Sequence, residues 1–500
     1  MSYRQEFYFL IIILIMFNTS FCFIALPFNT IFTKNNSASP AGDYRAQMLQ
    51  NDICVNFSAG NPGQNITSVL KMEYYGFSIF NNSFITNLSS TYELLDDERS
   101  LNCYLQIKPY TSRDYFYLPT FNSFNDFNKY ISNEKNKNNI KDIIKKEKAK
   151  FLIIKKEKGS RTPFNDMYEK FGIIGLKLNY KTFHPPEFAT TFDGIKDIKT
   201  HTFYLKFDDN RIDGFFNSNN TGYFIVGEEL SDNENEKKNI KYTKAKERLD
   251  LINWDLSFTD IISKSKIDEI EYRPEYKHAE LYVNFPYIFG PRFYAPFIRK
   301  EFFQELISEG VCNYISNIYG EEYTGYRCNS QSELFLKNLE TKFPDLIFEH
   351  RELDENFTLT GKDLFTHNMY NKSDPYVYFA ILFKNIPITD QDNVMSWILG
   401  IPFLKKYTLS FNYDNKVIGY LKKNNNGISH NSVSYKKIII IAVFIFSIIL
   451  SFFLGMFTHK KISKKPRKNK ANELDDSCDY IENSSKRNDS NEEKYSNLIN

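Results

Sequence analysis

Neither sign of charge is in surplus. Over 500 residues, 63 Lys and Arg stand against 61 Asp and Glu, a formal net charge of +2. That balance excludes a global basic field for nucleic acid and makes charge informative only where it clusters. The seven histidines (His184, His201, His278, His350, His367, His430 and His459) show no paired metal spacing and no HExxH pattern, so no metal site is expected. A GxSxG elbow and a glycine-rich phosphate loop are missing too, which removes serine-hydrolase and nucleotide chemistry and leaves no cofactor implied. Long uninterrupted apolar runs are rare, and two stand out.

The apolar content is 42% with 17% aromatics, enough to fill the core of a chain longer than one ordinary domain. It is arranged in short alternating or aromatic-rich runs broken by Asn, Asp, Gly and Pro, as at Cys54–Phe57, Leu101–Ile107, Phe151–Ile154, His201–Phe207 and Tyr223–Val226. Period-2 patterning of this kind predicts a mostly β architecture. Helical spacing is confined to Ile298–Ser308 and Gln331–Leu339.

The first long run, Phe7 to Phe17, is eleven residues with Arg4 before it and polar Asn18-Thr19-Ser20 after it. It suits the core of a secretory signal peptide, assigned to residues 1–25 with cleavage between Ser20 and Ala25, followed by a leader at 26–49. The second, Ile438 to Phe457, is twenty uncharged residues, fifteen of them Ile, Leu, Val or Phe. At about 0.3–0.6 kcal/mol favourable for each of these, a transmembrane helix at 438–457 is expected. Seven basic residues between Lys460 and Lys470 follow it, against Lys436 and Lys437 before it, so the tail at 458–500 is expected in the cytosol. The expected topology is single-pass type I, in the secretory pathway or plasma membrane.

Sequons at Asn35, Asn56, Asn65, Asn81, Asn87, Asn219, Asn356 and Asn371 all precede that helix and are glycosylation candidates. Cys54, Cys103, Cys312 and Cys328 then lie in an oxidising compartment, an even number that suits two disulfides. The lysine-dense stretch at about 133–158 reads as a solvated insertion loop, with an electrostatic docking surface as the sharper alternative.

A weak internal repeat pairs Gly172-Ile173-Ile174-Gly175-Leu176 with Trp397-Ile398-Leu399-Gly400. Around it runs an ordered series of matches. Gly60, Pro62 and Gln64 stand where the pepsin family of aspartic peptidases approaches its first catalytic loop, and the Gly172–Leu176 segment is similar to the strand beneath that loop. Phe203-Tyr204-Leu205 and Tyr223–Gly227 resemble its crossing between lobes, Trp254–Phe258 the entry to its second lobe, and Trp397–Tyr420 its closing segment. The resemblance covers about Val55 to Tyr420 and implies a bilobal pepsin-like acid protease fold, with an N-terminal lobe at 50–230 and a C-terminal lobe at 231–430.

The chemistry departs from that family. No Asp-Thr-Gly or Asp-Ser-Gly occurs; Lys71 takes the first catalytic position, with Glu73 two residues on, and Tyr282 or Asn284 takes the second. Tyr110 is the candidate for the family's flap tyrosine. Lys71, Glu73, Tyr110, Tyr282 and Asn284 are therefore candidate cleft residues around an extended peptide or protein ligand, with no catalytic residue assigned. The alternative is an active aspartic endopeptidase with an atypical dyad, for which Glu73 and Glu280 form the one pair to propose.

Overall fold

Alternating runs bounded by turn-forming residues build strands, and strands dominate the computed structural model. It describes residues 22–32, 51–72, 74–80, 83–96, 107–132, 143–156, 171–178, 198, 200–209, 211–217, 220–231, 234–248, 251–264, 271–272, 277–318, 323–367, 374–384 and 397–422. In chain order come β1 (Phe23–Phe32), β2 (Asn51–Ala59), β3 (Gln64–Lys71), β4 (Tyr75–Phe80), β5 (Glu93–Asp96), β6 (Ile107–Phe121), β7 (Ile144–Lys156), β8 (Gly172–Leu176), β9 (Thr202–Phe207), β10 (Gly222–Val226) and β11 (Ile240–Lys244). The second half contributes, among others, β12 (His278–Leu281), β13 (Ile288–Gly290), β14 (Cys312–Ile318), β15 (Tyr323–Asn329), β16 (Ile381–Lys384), β17 (Trp397–Leu399), β18 (Leu409–Asn412) and β19 (Val417–Leu421).

Among the described residues, thirteen strands form one curled sheet in the order β11-β19-β18-β9-β10-β1-β2-β3-β8-β4-β7-β6-β5. Eleven form a second curled sheet, which contains β12 to β17. The mostly β expectation holds, and helices lie at both places where spacing put them, 295–308 and Glu333–Thr341, with others at Phe124–Ser132 and Ile401–Lys406.

The two sheets do not divide the chain at one point. The closing hairpin β18–β19 and β11 return to the first sheet, while the short strands Arg211–Ile212 and Phe215–Asn217 sit in the second. Trp254 fastens the second half to the first: its indole Nε1 donates to the Leu176 carbonyl at 2.6 Å. Phe203, Phe411 and Tyr413 pack on its ring, with centroids 6.1, 5.3 and 5.3 Å away.

Three expectations fall on strands, and one of them needs correction. Residues 23–32, which span the end of the expected signal and the start of the expected leader, form an interior strand, β1, hydrogen-bonded between β10 and β2. Phe23, Ile24 and Ala25 are buried there, because an apolar run flanked by strands on both edges has a core to enter. The lysine-dense stretch is not a loop over its described part, since β7 pairs with β6 at thirteen successive positions and runs parallel to β4. Its alternation explains this: Ala149 and Phe151 are buried on one face while Lys146 projects from the other. Finally, Tyr110, the flap candidate, lies in β6 opposite Ile153.

No helix among the described residues is long and apolar enough to cross a membrane; the span expected at 438–457 lies outside them.

An acid-sensitive clamp joins the halves. Asp363 is buried at the start of a short helical turn, Gly361–Leu364, where it takes part in a capping box with Thr360. Its carboxylate accepts from Arg211 Nη2 at 3.1 Å and from Lys406 Nζ. Burial alone would raise the carboxyl's pKa, but the Lys406 ammonium and the Thr360 hydroxyl and amide outweigh it and hold the value below the ordinary range. A carboxyl depressed in the folded state contributes stability above its unfolded pKa of about 3.9 and loses it as pH falls through the lower folded value. The thermal midpoint should therefore decline below about pH 4. Asp363→Asn should start lower at pH 7 and decline less steeply between pH 4 and pH 2.5 in a calorimetric series; an unchanged slope would contradict the assignment.

Candidate functional site

The internal repeat becomes a structural repeat. Strand β3 runs parallel to β8 with Ser68, Val69, Leu70 and Lys71 opposite Gly172, Ile173, Ile174 and Gly175. Its continuation, β4, returns antiparallel on the other edge of β8 and then runs parallel to β7. In the second sheet β12 runs parallel to β17, with Ala279, Glu280 and Leu281 opposite Trp397, Ile398 and Leu399. Here β13 returns antiparallel on the other edge of β17 and runs parallel to β16. The connectivity is the same.

The shared register matches individual residues across the two crossings. Lys71 lies opposite Gly175, and Tyr282, whose amide donates to the Leu399 carbonyl at 3.1 Å, lies at the matching position beside Gly400. Gly76 returns opposite Gly175, five positions after Lys71; Phe289 pairs with Ile398, which extends to Tyr287 opposite Gly400, five positions after Tyr282. Equal loops make Tyr282 the counterpart of Lys71 and Asn284 the counterpart of Glu73. Within the repeat it is Tyr282 that stands at the position of Lys71.

Close backbone approach explains the glycine of the second crossing. A Cβ on Gly400 would lie 2.2 Å from the Tyr287 oxygen and 2.3 Å from that of Phe285, inside van der Waals contact.

Lys71 is buried, with 6% of its surface exposed. Its ammonium bonds Asp52 Oδ1 at 2.5 Å, and the side chains are 8% and 5% exposed. The structure pairs Lys71 with a residue nineteen positions earlier. Hairpin geometry accounts for this. Strands β2 and β3 pair from Ala59–Gln64 through Cys54–Val69, and the same register carried two residues further sets Asp52 across from Lys71.

Leu70, Ile53 and Val55 belong to the main apolar core, whereas Cys54 and Val69, though buried, lie outside it. On this second face Cys54 is a thiol donating to Asn29 Oδ1 at 2.8 Å, pushed up to about 12 by burial and by the Asp52 carboxylate beside it. It forms no disulfide, which removes the second expected bridge; Cys103 lies outside the described residues. The other bridge is present, Cys312–Cys328, linking directly opposed residues of β14 and β15.

The second loop is aromatic. Tyr282 stacks on Phe285 at 4.7 Å with planes 16° apart, Phe285 meets Phe289 edge-on at 5.4 Å, and Phe289 contacts Tyr323 at 5.0 Å. All four rings are half-buried. Glu280 Oε2 accepts from the Tyr282 hydroxyl at 3.1 Å. Asn284 is 4% exposed, so it is an interior residue of the loop and not a surface group. Glu73 lies outside the described residues, as do Asn35, Asn81, Asn219 and Asn371. The remaining sequon asparagines, Asn56, Asn65, Asn87 and Asn356, are all exposed.

Asp52 and the row Phe285–Phe289–Tyr323 were missing from the sequence reading. Counting the β2–β3 hairpin outward from its turn would have found Asp52. The aromatic row had no comparable signal, because Tyr323 comes from a distant strand.

The sequence matches no protein-family model, and no curated protein is significantly similar to it.

Breaking a buried pair leaves an uncompensated charge, so Lys71→Met should destabilise the protein by about 3–5 kcal/mol. Adding Asp52→Leu should return most of that loss, because two apolar residues can replace a buried pair at little cost. Denaturant midpoints of the four members of this cycle check it. Additive effects of the two substitutions would contradict the pairing.

Proposed function

We propose that the chain is a membrane-anchored, pepsin-like protein that binds extended polypeptide between two lobes and does not cleave it. The observation that carries this reading is the repeated crossing. Two strand pairs of the same connectivity each place a glycine under the head of a loop, in the manner the resemblance to the aspartic peptidases implies, and the residues at those heads are Lys71 and Tyr282.

Aspartic peptidase chemistry needs two adjacent carboxylates sharing one proton, so that one takes a proton from water while the other gives one to the scissile carbonyl. An ammonium offers donors and no acceptor, so Lys71 cannot activate water. Its charge is committed to Asp52. Tyrosine ordinarily holds its proton until about pH 10 and cannot replace the other aspartate at neutral or acid pH. Each positioned acid or base is worth about a hundred- to ten-thousand-fold in rate, and neither is in place.

Binding does not need those groups. Strand-like pairing of an extended ligand with the lobes would supply affinity through main-chain hydrogen bonds, and the half-buried rings of Tyr282, Phe285, Phe289 and Tyr323 offer apolar contact for its side chains. In this reading the helix at 438–457 holds the protein in a membrane of the secretory pathway or at the plasma membrane, with the exposed sequons on the lumenal side.

The test is direct. Full-length protein in detergent, incubated with an unfolded protein substrate from pH 3 to pH 7, should release no fragments whose formation pepstatin blocks. Pepstatin-sensitive cleavage at any of these pH values would contradict the proposal.

A further inference from the structure

The outer face of the β6–β7 ribbon carries a basic strip on a floor of tyrosines. Strand alternation sends Phe116 and Leu118 of β6 and Ala149 and Phe151 of β7 into the core. The opposite face presents Arg113, Tyr115 and Tyr117 beside Lys148 and Lys146, with Tyr115 across from Lys148 and Tyr117 across from Lys146. The Lys146 ammonium stands 4.1 Å from the centre of the Tyr115 ring and 6.0 Å from that of Tyr117, and Lys148 stands 5.8 Å from Tyr115. Cation–π contact of this kind holds flexible lysines over a rigid platform. Lys146 is exposed, and Lys148 and Arg113 are 34% and 33% exposed.

The one acidic side chain described beside them is Glu93 of β5, which pairs with Lys148 at 2.5 Å and Arg113 at 3.7 Å. Three cations facing one carboxylate leave a net positive strip.

We propose that this face docks an extended acidic segment of a partner protein, one with carboxylates at alternate positions. Three observations select that occupant. Lysines two apart on a strand repeat every 6.6 Å or so, and an extended chain with acids at every second residue has the same period on one face. Strand β6, which carries the tyrosine floor, is already paired on both edges, with β7 along its length and with β2 at Phe116 and Tyr117, so recognition over that floor falls to side chains and not to an added strand. The surface is an open sheet face carrying a few cations, whereas attraction to an anionic membrane takes clusters of roughly four to eight. The strip is independent of the interlobe reading and stands or falls without it.

Fluorescence anisotropy on the full-length protein tests it, using a labelled peptide of alternating Glu and Ser and a second peptide of the same composition with all Glu residues contiguous. The alternating peptide should bind more tightly, and raising the salt to 0.5 M should weaken it, as screening requires. Lys146→Gln/Lys148→Gln should bind it about tenfold more weakly or worse while keeping the wild-type circular dichroism and melting midpoint. Heparin and phosphatidylserine vesicles serve as competing polyanions. Absence of binding, equal affinity for the two peptides, unchanged affinity in the variant, or tighter binding by heparin or vesicles would each overturn the proposal.

Discussion

A strand and its own continuation must flank the same third strand on opposite edges, once in each sheet, and the centre of the molecule is organised by that constraint. At the second crossing the connection passes over the end of the third strand, where backbones come too close for a side chain. Gly400 makes the limit explicit, since any Cβ there would meet two carbonyl oxygens. The Ile401 amide, one residue on, donates to the Phe285 carbonyl at 2.7 Å, which ties the crossing strand to the loop passing over it. Apolar pairs before each glycine, Ile173-Ile174 and Ile398-Leu399, keep both strands in the sheets, and Trp397 fills the space beneath the second crossing against Tyr294 and Phe348.

This constraint specifies the crossing and leaves the head of the loop open. The two copies used that freedom differently. At the first, a lysine is buried, and burying an ammonium is tolerable only with a charged partner in bonding contact; Asp52 on the neighbouring strand is that partner. At the second, an aromatic ring lies flat on Phe285 and its hydroxyl reaches Glu280. Each solution satisfies its local electrostatics. Neither Lys71 nor Tyr282 is itself a carboxylate, so neither residue can share a proton as an aspartate pair does.

The parts of this that could be read from sequence are those with short-range signatures. Period-2 runs announced the strands, and the apolar-apolar-glycine repeat marked both crossings although the residues around them differ. Cys312 and Cys328 were among four cysteines left to pair, and they do pair, on adjacent strands. What the sequence hid came from long-range context. The pairing of residues 23–32 depends on two distant strands that supply their edges, and the lysines of β7 look like a loop until Tyr115 and Tyr117 are seen beneath them. Burial of Lys71 was illegible for the same reason, because its partner stands on another strand. Its identity was nevertheless implicit in the count across the β2–β3 hairpin.

Transition-state analogues report the presence of a catalytic arrangement through the excess of their affinity over that of a comparable substrate, commonly a hundredfold or more. The central claim is that no such arrangement exists here. The most direct measurement is calorimetric titration of the full-length protein with a statine-containing peptide and with the same peptide carrying an ordinary residue in place of statine. If Lys71 and Tyr282 head the two loops, the two affinities should agree within about threefold at every pH from 3 to 7, since no shared proton is present to favour the statine hydroxyl. A hundredfold preference for the statine peptide would contradict the account.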